Sequence, residues 1–250
     1  MNISRDLLEE FNIISMSLKT CNKSISCFPV KAEFNKLHLA KTLQFKYLQQ
    51  FSDDTETSDF FTQDHHLSVT IKKTDSENFL ISDAKIELIE SGLDYFICKV
   101  TACDDFFQSF LNKISYLEYQ DAKYGRRKEP RFAIGKDKAV TFGLASIEQK
   151  LFSKTEKLIQ SCVILDVSLH GICIITPFED TRFKSVDNFF IQISFTNPEQ
   201  SIILQAHKVH LKLNPTQNKV YATLSCQLLE PISYIWKERV IKMLELESDN

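Results

Sequence analysis

The sequence predicts a mainly β protein with flanking helices, and three observations support this prediction. Four of the five glycines and five of the six prolines lie beyond residue 120, at intervals typical of turns between short strands. The segments between them are rich in β-branched and aromatic residues. The last segment, from Pro231 to about residue 247, instead has apolar residues at helical spacing. Many short strands closed by one helix are typical of a small antiparallel barrel.

The C-terminal half is predicted to contain six strands and the final helix. The strands are expected, in order, at 139–147, 161–167, 171–176, 188–196, 201–212 and 219–229. The last of them is rich in β-forming residues that partly alternate in polarity, as a half-buried strand requires. Pro231 is a favoured first-turn residue for the helix, and Trp236 lies on its apolar stripe.

The N-terminal half, residues 1–120, is predicted to be an α+β domain. Helices are expected at 4–18, 34–51 and 104–118, and strands at 66–73, 79–90 and 93–101. Residues 52–64, which are rich in Ser, Asp and Thr, are typical of a loop. No repeat of fixed period is visible. The boundary is expected near 119–125, which divides the chain into domains 1–120 and 121–250.

Composition indicates a soluble globular protein, with 43% hydrophobic and 25% charged residues. No apolar run is long enough to cross a bilayer and no signal-peptide pattern occurs, so we expect a cytoplasmic protein without membrane insertion. The seven cysteines are odd in number, irregularly spaced and without a CxxC pair. They are expected to be buried free thiols rather than a disulfide framework.

Positive charge is concentrated at the junction between the two halves. The chain has six arginines and 24 lysines, yet Arg126, Arg127 and Arg131 fall within six residues. A guanidinium is planar, stacks on ring faces and binds a phosphate through two parallel hydrogen bonds, which lysine cannot do. The net charge is −3. A compact basic patch on a mildly acidic protein favours a small anionic ligand over a long nucleic-acid track.

A second motif begins 35 residues after Arg131 and runs from Asp166 to Gly171. Asp166 offers carboxylate oxygens that can accept from paired N–H donors, and Ser168 can hydrogen-bond to a ligand or to the backbone. Gly171 allows the strand to restart with either a close approach of the ligand or a positive φ. His170, inside this motif, is the histidine that we expect near the ligand.

The two segments together resemble the signature of the PilZ family. This signature is RxxxR, here Arg127 to Arg131, followed by [DN]xSxxG, here Asp166, Ser168 and Gly171. PilZ domains are receptors for the bacterial second messenger cyclic di-GMP. The resemblance implies a six-stranded antiparallel barrel with a C-terminal helix.

The resemblance also implies roles for the motif residues. Arg127 and Arg131 would contact the ligand phosphates and stack on guanine, whereas Asp166 and Ser168 would bind the base. Arg126 occupies the position that favours a second, intercalated ligand molecule. The layout resembles that of YcgR-type and spirochaete PlzA-type PilZ proteins, and a degenerate barrel of related fold is the alternative description of residues 1–120.

The resulting hypothesis is a two-domain, non-enzymatic cyclic di-GMP receptor. Its ligand would bind the linker and the barrel together and reorient the domains toward a protein partner in motility or a related signalling output. The alternatives are a PilZ-fold interaction adapter that does not bind the nucleotide and a nucleic-acid-binding regulator that uses the basic junction.

No cofactor, metal or catalytic group is expected. His207 and His210 are three residues apart, which on a regular strand places them on opposite faces and spoils a shared metal site. Ser168 and His170 lack the nucleophile elbow or the orienting acid that a hydrolase needs.

Overall fold

The structure, a computed structural model, describes residues 1–19, 24–37, 39–48, 65–72, 79–92, 94–124, 129–153, 158–178, 184–217 and 219–248. The chain divides into two compact units, Met1–Tyr119 and Gln120–Asn250. None of the helices in the described ranges is long and apolar enough to cross a membrane. All six cysteines in these ranges are free thiols, and five of them are buried, as expected.

The N-terminal unit is a six-stranded antiparallel sheet that curls into a closed barrel. Helix α1 (Arg5–Glu10) is followed by strands β1 (Ile13–Lys19), β2 (Ser24–Phe34), β3 (Ala40–Tyr47), β4 (His65–Lys72), β5 (Phe79–Ser91) and β6 (Tyr95–Cys103). Around the ring the order is β1, β2, β3, β6, β5, β4, and β4 pairs back to β1. Helix α2 (Asp105–Tyr124) follows, and its residues from Gln120 onward belong to the second unit.

The helices predicted at 4–18 and 34–51 are largely wrong. Helix α1 ends at Glu10, and Ala40–Tyr47 is a strand. In this strand Leu43, Phe45 and Tyr47 are buried and alternate with less buried residues, which is the period of a strand with one face in a core. Residues 1–120 thus combine helices with a sheet, and this sheet closes into the barrel that was the alternative description of this half. The loop predicted at 52–64 lies outside the described residues.

The C-terminal unit is a second closed antiparallel barrel. After strand β7 (Phe132–Ala133) and helix α3 (Lys136–Phe142) come β8 (Glu148–Ser153), β9 (Leu158–Val167), β10 (Gly171–Pro177), β11 (Asn188–Thr196), β12 (Glu199–Pro215), β13 (Val220–Leu228) and helix α4 (Tyr234–Ser248). Around the ring the order is β8, β9, β10, β13, β12, β11, and β11 pairs again with β8. The short β7 pairs with the end of β9. The predicted six-stranded barrel with a C-terminal helix is confirmed.

The two barrels have the same strand order. When the strands of each unit are lettered a to f along the chain, both rings have the order a, b, c, f, e, d. A short helix precedes the first strand of each barrel and a long helix follows the last. The chain therefore contains one architecture twice, although no repeat is visible in its sequence.

The first strand predicted in the C-terminal half, 139–147, is wrong. Its first residues belong to helix α3, and β8 begins only at Glu148. Ala139 and Phe142, three residues apart, are the buried residues of this helix. Gly143 ends the helix in the left-handed conformation with φ 80°, a helix end that favours glycine. The other five strands and the final helix are confirmed, with ends shifted by a few residues.

An aromatic cluster joins β7 and both helices to the second barrel. Phe142 contacts Phe132, Phe195 and Trp236 edge-on, with ring centroids 5.6–6.0 Å apart. Such pairs add to the stability that burial of the rings provides. All four side chains are buried. Because Phe132 directly follows Arg131, this cluster holds the backbone next to Arg131 against the barrel.

Candidate ligand-binding site

The second motif forms the turn between β9 and β10. The amide of Ser168 donates to the carbonyl of Gly171 at 2.9 Å, and the Ser168 hydroxyl donates to the same oxygen at 3.3 Å. Ser168 is fully buried. Trp236 Nε1 donates to the Ser168 carbonyl at 3.2 Å, which ties helix α4 to the turn. The Ser168 hydroxyl therefore shapes the turn.

A β-bulge places Asp166 at the surface beside this turn. The register of β9 and β10 shifts so that Cys173 pairs with Asp166 but Ile174 pairs with Ile164, which leaves Leu165 unpaired in the ladder. The Leu165 carbonyl instead accepts from the amide of Ile134 at 2.8 Å. A bulge bends a strand and re-aims its side chains. Here it also attaches the segment after Arg131 next to Asp166.

Arg131 and Asp166 form an ion pair across the two motifs. Arg131 Nη1 donates to Asp166 Oδ1 at 3.0 Å, and the two side chains are 46% and 32% exposed, so a ligand can reach both from solvent. A Cβ atom on Gly171 would lie 2.8 Å from Arg131 Nη2 and 3.0 Å from Ser168 Oγ. Gly171 does not have a positive φ. The positive φ expected as one reason for this glycine is therefore wrong, and the close approach of the ligand stays a prediction. The described group that comes nearest to an added Cβ is the Arg131 guanidinium.

The structure brings together four of the six residues predicted to bind the ligand, namely Arg131, Asp166, Ser168 and Gly171. Arg126 and Arg127 lie outside the described residues. The assembled surface carries a guanidinium beside a carboxylate, and both side chains are partly exposed to solvent. This pair of groups can donate to an anion and accept from a base edge at the same place.

His170 connects the turn to the segment that holds Arg131. Its amide donates to Glu129 Oε1 at 2.8 Å, and its Nδ1 lies 3.2 Å from the same oxygen. Its Nε2 lies 3.1 Å from Asp121 Oδ1, an approach that is close but poorly aligned for a hydrogen bond, so we describe it as an ion pair. The close contacts with Asp121 and then Glu129 raise the pKa of His170 to about 9, against the lowering effect of burial. The imidazole is therefore charged at neutral pH.

Lys237 completes this network from helix α4. Its ammonium is 3% exposed and lies 3.1 Å from Asp121 Oδ2 and 3.5 Å from Glu230 Oε1. Burial alone would raise the pKa of Asp121, but the contacts with His170 and Lys237 outweigh it and lower the pKa. Asp121, His170 and Glu230 present ligand atoms within 4.8 Å of one another, which is the spacing of a metal site. Since the Lys237 ammonium already binds both carboxylates, the cluster is an ion-pair network.

Comparison with known proteins identifies this part of the chain. Residues 125–244 match the family model of the PilZ domain. The C-terminal part of the chain is a PilZ domain. No curated protein sequence matches the chain.

Three solved structures are similar to the chain over nearly its whole length. PlzA of Borreliella burgdorferi, in complex with c-di-GMP, has 13% identity, with 96% of this chain and 91% of that chain covered and a TM-score of 0.39. MrkH of K. pneumonia, also in complex with c-di-GMP, has 12% identity, with 98% and 92% covered and a TM-score of 0.36. YcgR of Escherichia coli, in complex with c-di-GMP, has 13% identity, with 98% and 88% covered and a TM-score of 0.31. The family assignment rests on the domain match.

The prediction that His207 and His210 lie on opposite faces of a strand is wrong. A bulge between Lys208 and His210 adds one residue, so that His207 pairs with Gln227 and His210 with Ser225. Partners two residues apart on β13 share a face, and both histidines are exposed. Within the described ranges neither histidine belongs to a group of three or more metal-ligating residues.

Several residues of the PilZ domain site were not anticipated. Cys173 lies beside Asp166 on the neighbouring strand, and burial followed by the charge of Asp166 raises its pKa. Glu129 lies inside the RxxxR segment, 41 residues before His170. Its place in the first motif is the sequence signal that could have put it near the site. Asp121 and Lys237 carry no such signal, because they are 116 residues apart and meet only in the folded unit.

Proposed function

We propose that this chain is a cyclic di-GMP receptor that binds the dinucleotide on the outer surface of its PilZ barrel. The observation that carries the proposal is the meeting of the two halves of the PilZ signature, with Arg131 and Asp166 in contact at 3.0 Å. The pair is exposed and offers a planar cation and a carboxylate side by side. A cyclic dinucleotide carries both phosphates and guanine edges, so one molecule would offer a partner to the guanidinium and to the carboxylate.

The proposed roles follow from the chemistry of each side chain. A guanidinium has five N–H donors, and the contact with Asp166 uses one, which leaves donors for a phosphate and a plane for stacking on guanine. The second oxygen of Asp166 would accept from guanine N1–H or N2–H. Ser168 would act by holding the turn, and Gly171 by leaving room for the guanidinium.

Arg126 and Arg127 complete the proposed site by their place in the signature. Arg127 would bind phosphate and stack on guanine, as Arg131 does. Arg126 would add a further guanidinium plane, so we propose two stacked ligand molecules per chain, with one as the alternative. A second arginine within reach of the same phosphates strengthens binding without a need for further protein groups.

We further propose that the ligand reorients the two units and thereby regulates a protein partner. The division between units falls after Tyr119, and the arginine segment begins a few residues later. A ligand that binds one arrangement of the units better than another shifts the population toward it. The protein would act as a cytoplasmic receptor rather than an enzyme, with motility or a related process as its output.

Calorimetric titration of cyclic di-GMP tests the receptor function. Arg131→Ala and Asp166→Ala should each weaken binding about tenfold or more, because each removes a charged partner of the ligand. Arg5→Ala is the matched control, since Arg5 is an exposed arginine whose side chain is 91% accessible and forms an ion pair with Glu9 one helical turn away. Wild-type protein that does not bind would contradict the proposal and favour a PilZ-fold adapter. Salt-dependent binding of DNA or RNA in its place would favour the nucleic-acid alternative.

A further inference from the structure

We propose that His170 is a positioning residue that fastens the segment carrying Arg131 to the ligand-binding turn through Glu129 and Asp121. It is not itself part of the ligand contact. The inference deepens the proposed function, because it assigns the arrangement of the arginine side of the site to a residue of the Asp166–Gly171 motif. Its geometry stands on contacts within the C-terminal unit alone.

The contacts of His170 reach the chain before Arg126 and after Arg127. Glu129 is two residues before Arg131, and its Oε1 accepts from the His170 amide at 2.8 Å with the ring Nδ1 3.2 Å away. Asp121 precedes the cluster, and its Oδ1 lies 3.1 Å from Nε2 of the same ring. One imidazole therefore binds the two ends of a stretch that contains Arg126 and Arg127.

The contact between His170 and Glu129 restricts the position of the Arg131 backbone. Pro130 stands between the two residues and has a restricted φ, so a fixed Glu129 leaves little freedom to the backbone of Arg131. On the other side Phe132 is 2% exposed, belongs to β7 and packs against Phe142. Arg131 is thus held before and after by described contacts, which pre-organises its guanidinium for a ligand.

The contacts of His170 with Asp121 and Glu129 are stabilised by a positive charge on the imidazole. Three carboxylates face His170, those of Asp121, Glu129 and Glu230, and the Lys237 ammonium is the other cation in the group. With His170 protonated, two cations meet three anions. With His170 neutral, the Lys237 ammonium alone faces three carboxylates. The contact between His170 and Glu129 then loses the positive charge that stabilises it. The fastening should therefore weaken as His170 loses its proton.

Limited digestion with trypsin tests this inference without any ligand. Five tryptic sites lie between Asp121 and Phe132, at Lys123, Arg126, Arg127, Lys128 and Arg131. At pH 7 the variant His170→Gln should be cleaved in this stretch roughly tenfold faster than wild type, because local opening becomes easier. Between pH 7 and 10 the wild-type rate should rise until the ratio of the two rates is close to one. His210→Gln, which changes an exposed histidine of β12, should match wild type at each pH.

Two outcomes would overturn the inference: equal cleavage of wild type and His170→Gln at pH 7, or a ratio that is unchanged at pH 10. If His170→Gln does not fold, Glu129→Gln decides, since it keeps an acceptor for the His170 amide but removes one charge. That variant should be cleaved faster at pH 7 and should reach its plateau at lower pH. Cleavage of Glu129→Gln with the wild-type rate and pH profile would also overturn the inference.

A parallel titration separates this inference from the receptor function. Cyclic di-GMP should bind His170→Gln several-fold more weakly than wild type at pH 7, and the two affinities should converge at high pH. Absence of binding in wild type would remove the receptor function but leave the digestion result for His170 in force. Binding that is equal in both proteins, together with faster digestion of the variant, would show that the fastening does not prepare the site and would overturn the positioning role.

Discussion

At the scale of single residues, Arg131→Lys tests whether the site needs a guanidinium or only a positive charge. Arg131→Lys keeps the charge but loses the forked donors and the stacking plane, so we expect cyclic di-GMP to bind about tenfold more weakly, or worse, in calorimetry. The thermal midpoint should hardly change, because the Arg131–Asp166 pair is exposed and such pairs contribute little to stability. A lysine variant that binds like the parent would show that only charge matters.

Asp166 should decide which base the site accepts. Its carboxylate accepts from the N1–H and N2–H donors of guanine, whereas N1 of adenine is itself an acceptor and would face it unfavourably. Wild-type protein should therefore bind cyclic di-AMP at least about tenfold more weakly than cyclic di-GMP. Asp166→Ala should lose this preference, and Asp187→Ala, which changes an exposed aspartate 69% accessible to solvent, should keep it. Equal affinities in wild type would remove Asp166 from base recognition.

His170 should make the stability of the PilZ domain depend on alkaline pH. Its pKa in the folded unit is about 9, above the ordinary value of 6.5. The contribution is thus fully present below about pH 6.5 and is lost as pH rises through 9. The difference in unfolding free energy between wild type and His170→Gln should shrink by about 2–3 kcal/mol between pH 6.5 and 10.

This difference can be measured by urea unfolding, with the fluorescence of Trp236 as the signal that reports on the C-terminal unit. Trp236 is the only tryptophan of the chain, is fully buried and lies in the C-terminal unit. Buried thiols such as Cys162 and Cys226 also change stability at alkaline pH, but they are common to both proteins and cancel in the difference. A difference that stays constant from pH 6.5 to 10 would contradict the raised pKa.

At the scale of elements, the end of helix α3 depends on Gly143. This residue has φ 80°, and a Cβ atom there would lie 2.2 Å from Arg239 Nη1. The same guanidinium donates to the carbonyls of Phe142 and Asn197 at 2.9 and 2.7 Å and lies over the ring of Phe195. Arg239 thus joins helix α4 to the end of α3 and to the barrel, and a side chain on Gly143 would displace it.

Gly143→Ala should therefore lower the unfolding free energy of the C-terminal unit by about 2 kcal/mol, since left-handed backbone strain adds to the loss of the Arg239 contacts. Gly135→Ala is the matched control, because Gly135 begins the same helix with φ −82° and has nothing within 4 Å of an added Cβ. Its change should stay within about 0.5 kcal/mol. Similar effects of both substitutions in urea unfolding would rule out this account of Gly143.

At the scale of the whole molecule, two barrels of one strand order differ in the connection that carries the ligand motif. In the C-terminal unit β9 leads to β10 through Asp166–Gly171. At the equivalent place β2 leads to β3 through residues 35–39, whose sequence NKLHL contains neither the Asp-x-Ser pair nor a glycine. The [DN]xSxxG half of the signature is thus found in one of the two equivalent connections, which is why we propose that the ligand binds the second barrel.

Small-angle scattering tests the reorientation of the two units. If the ligand binds one arrangement better than another, saturating cyclic di-GMP should change the radius of gyration or the distance distribution. Arg131→Ala should need about tenfold more ligand, or more still, to give the same change in the curve. Wild-type curves that coincide with and without saturating ligand would favour a static binding surface.

Local pattern in the sequence determined the second barrel, its final helix and the two motifs. The strands from β9 to β13 follow from alternating or continuous apolar runs and turn residues, which act over a few neighbouring positions. The tertiary structure overrode the helix prediction for β3 and the strand prediction for α3, because their residues suit both states and only pairing and burial choose between them.

The network around His170 was decided by the tertiary structure alone. Its members Asp121, Glu129, His170 and Lys237 are spread over 116 residues and meet only in the folded C-terminal unit. The sequence by itself determined which groups can bind a phosphate and a guanine edge. The fold decided that Arg131 meets Asp166 and that a protonated imidazole holds Glu129 beside the turn, because ion pairs depend on distances that no local pattern of residues sets.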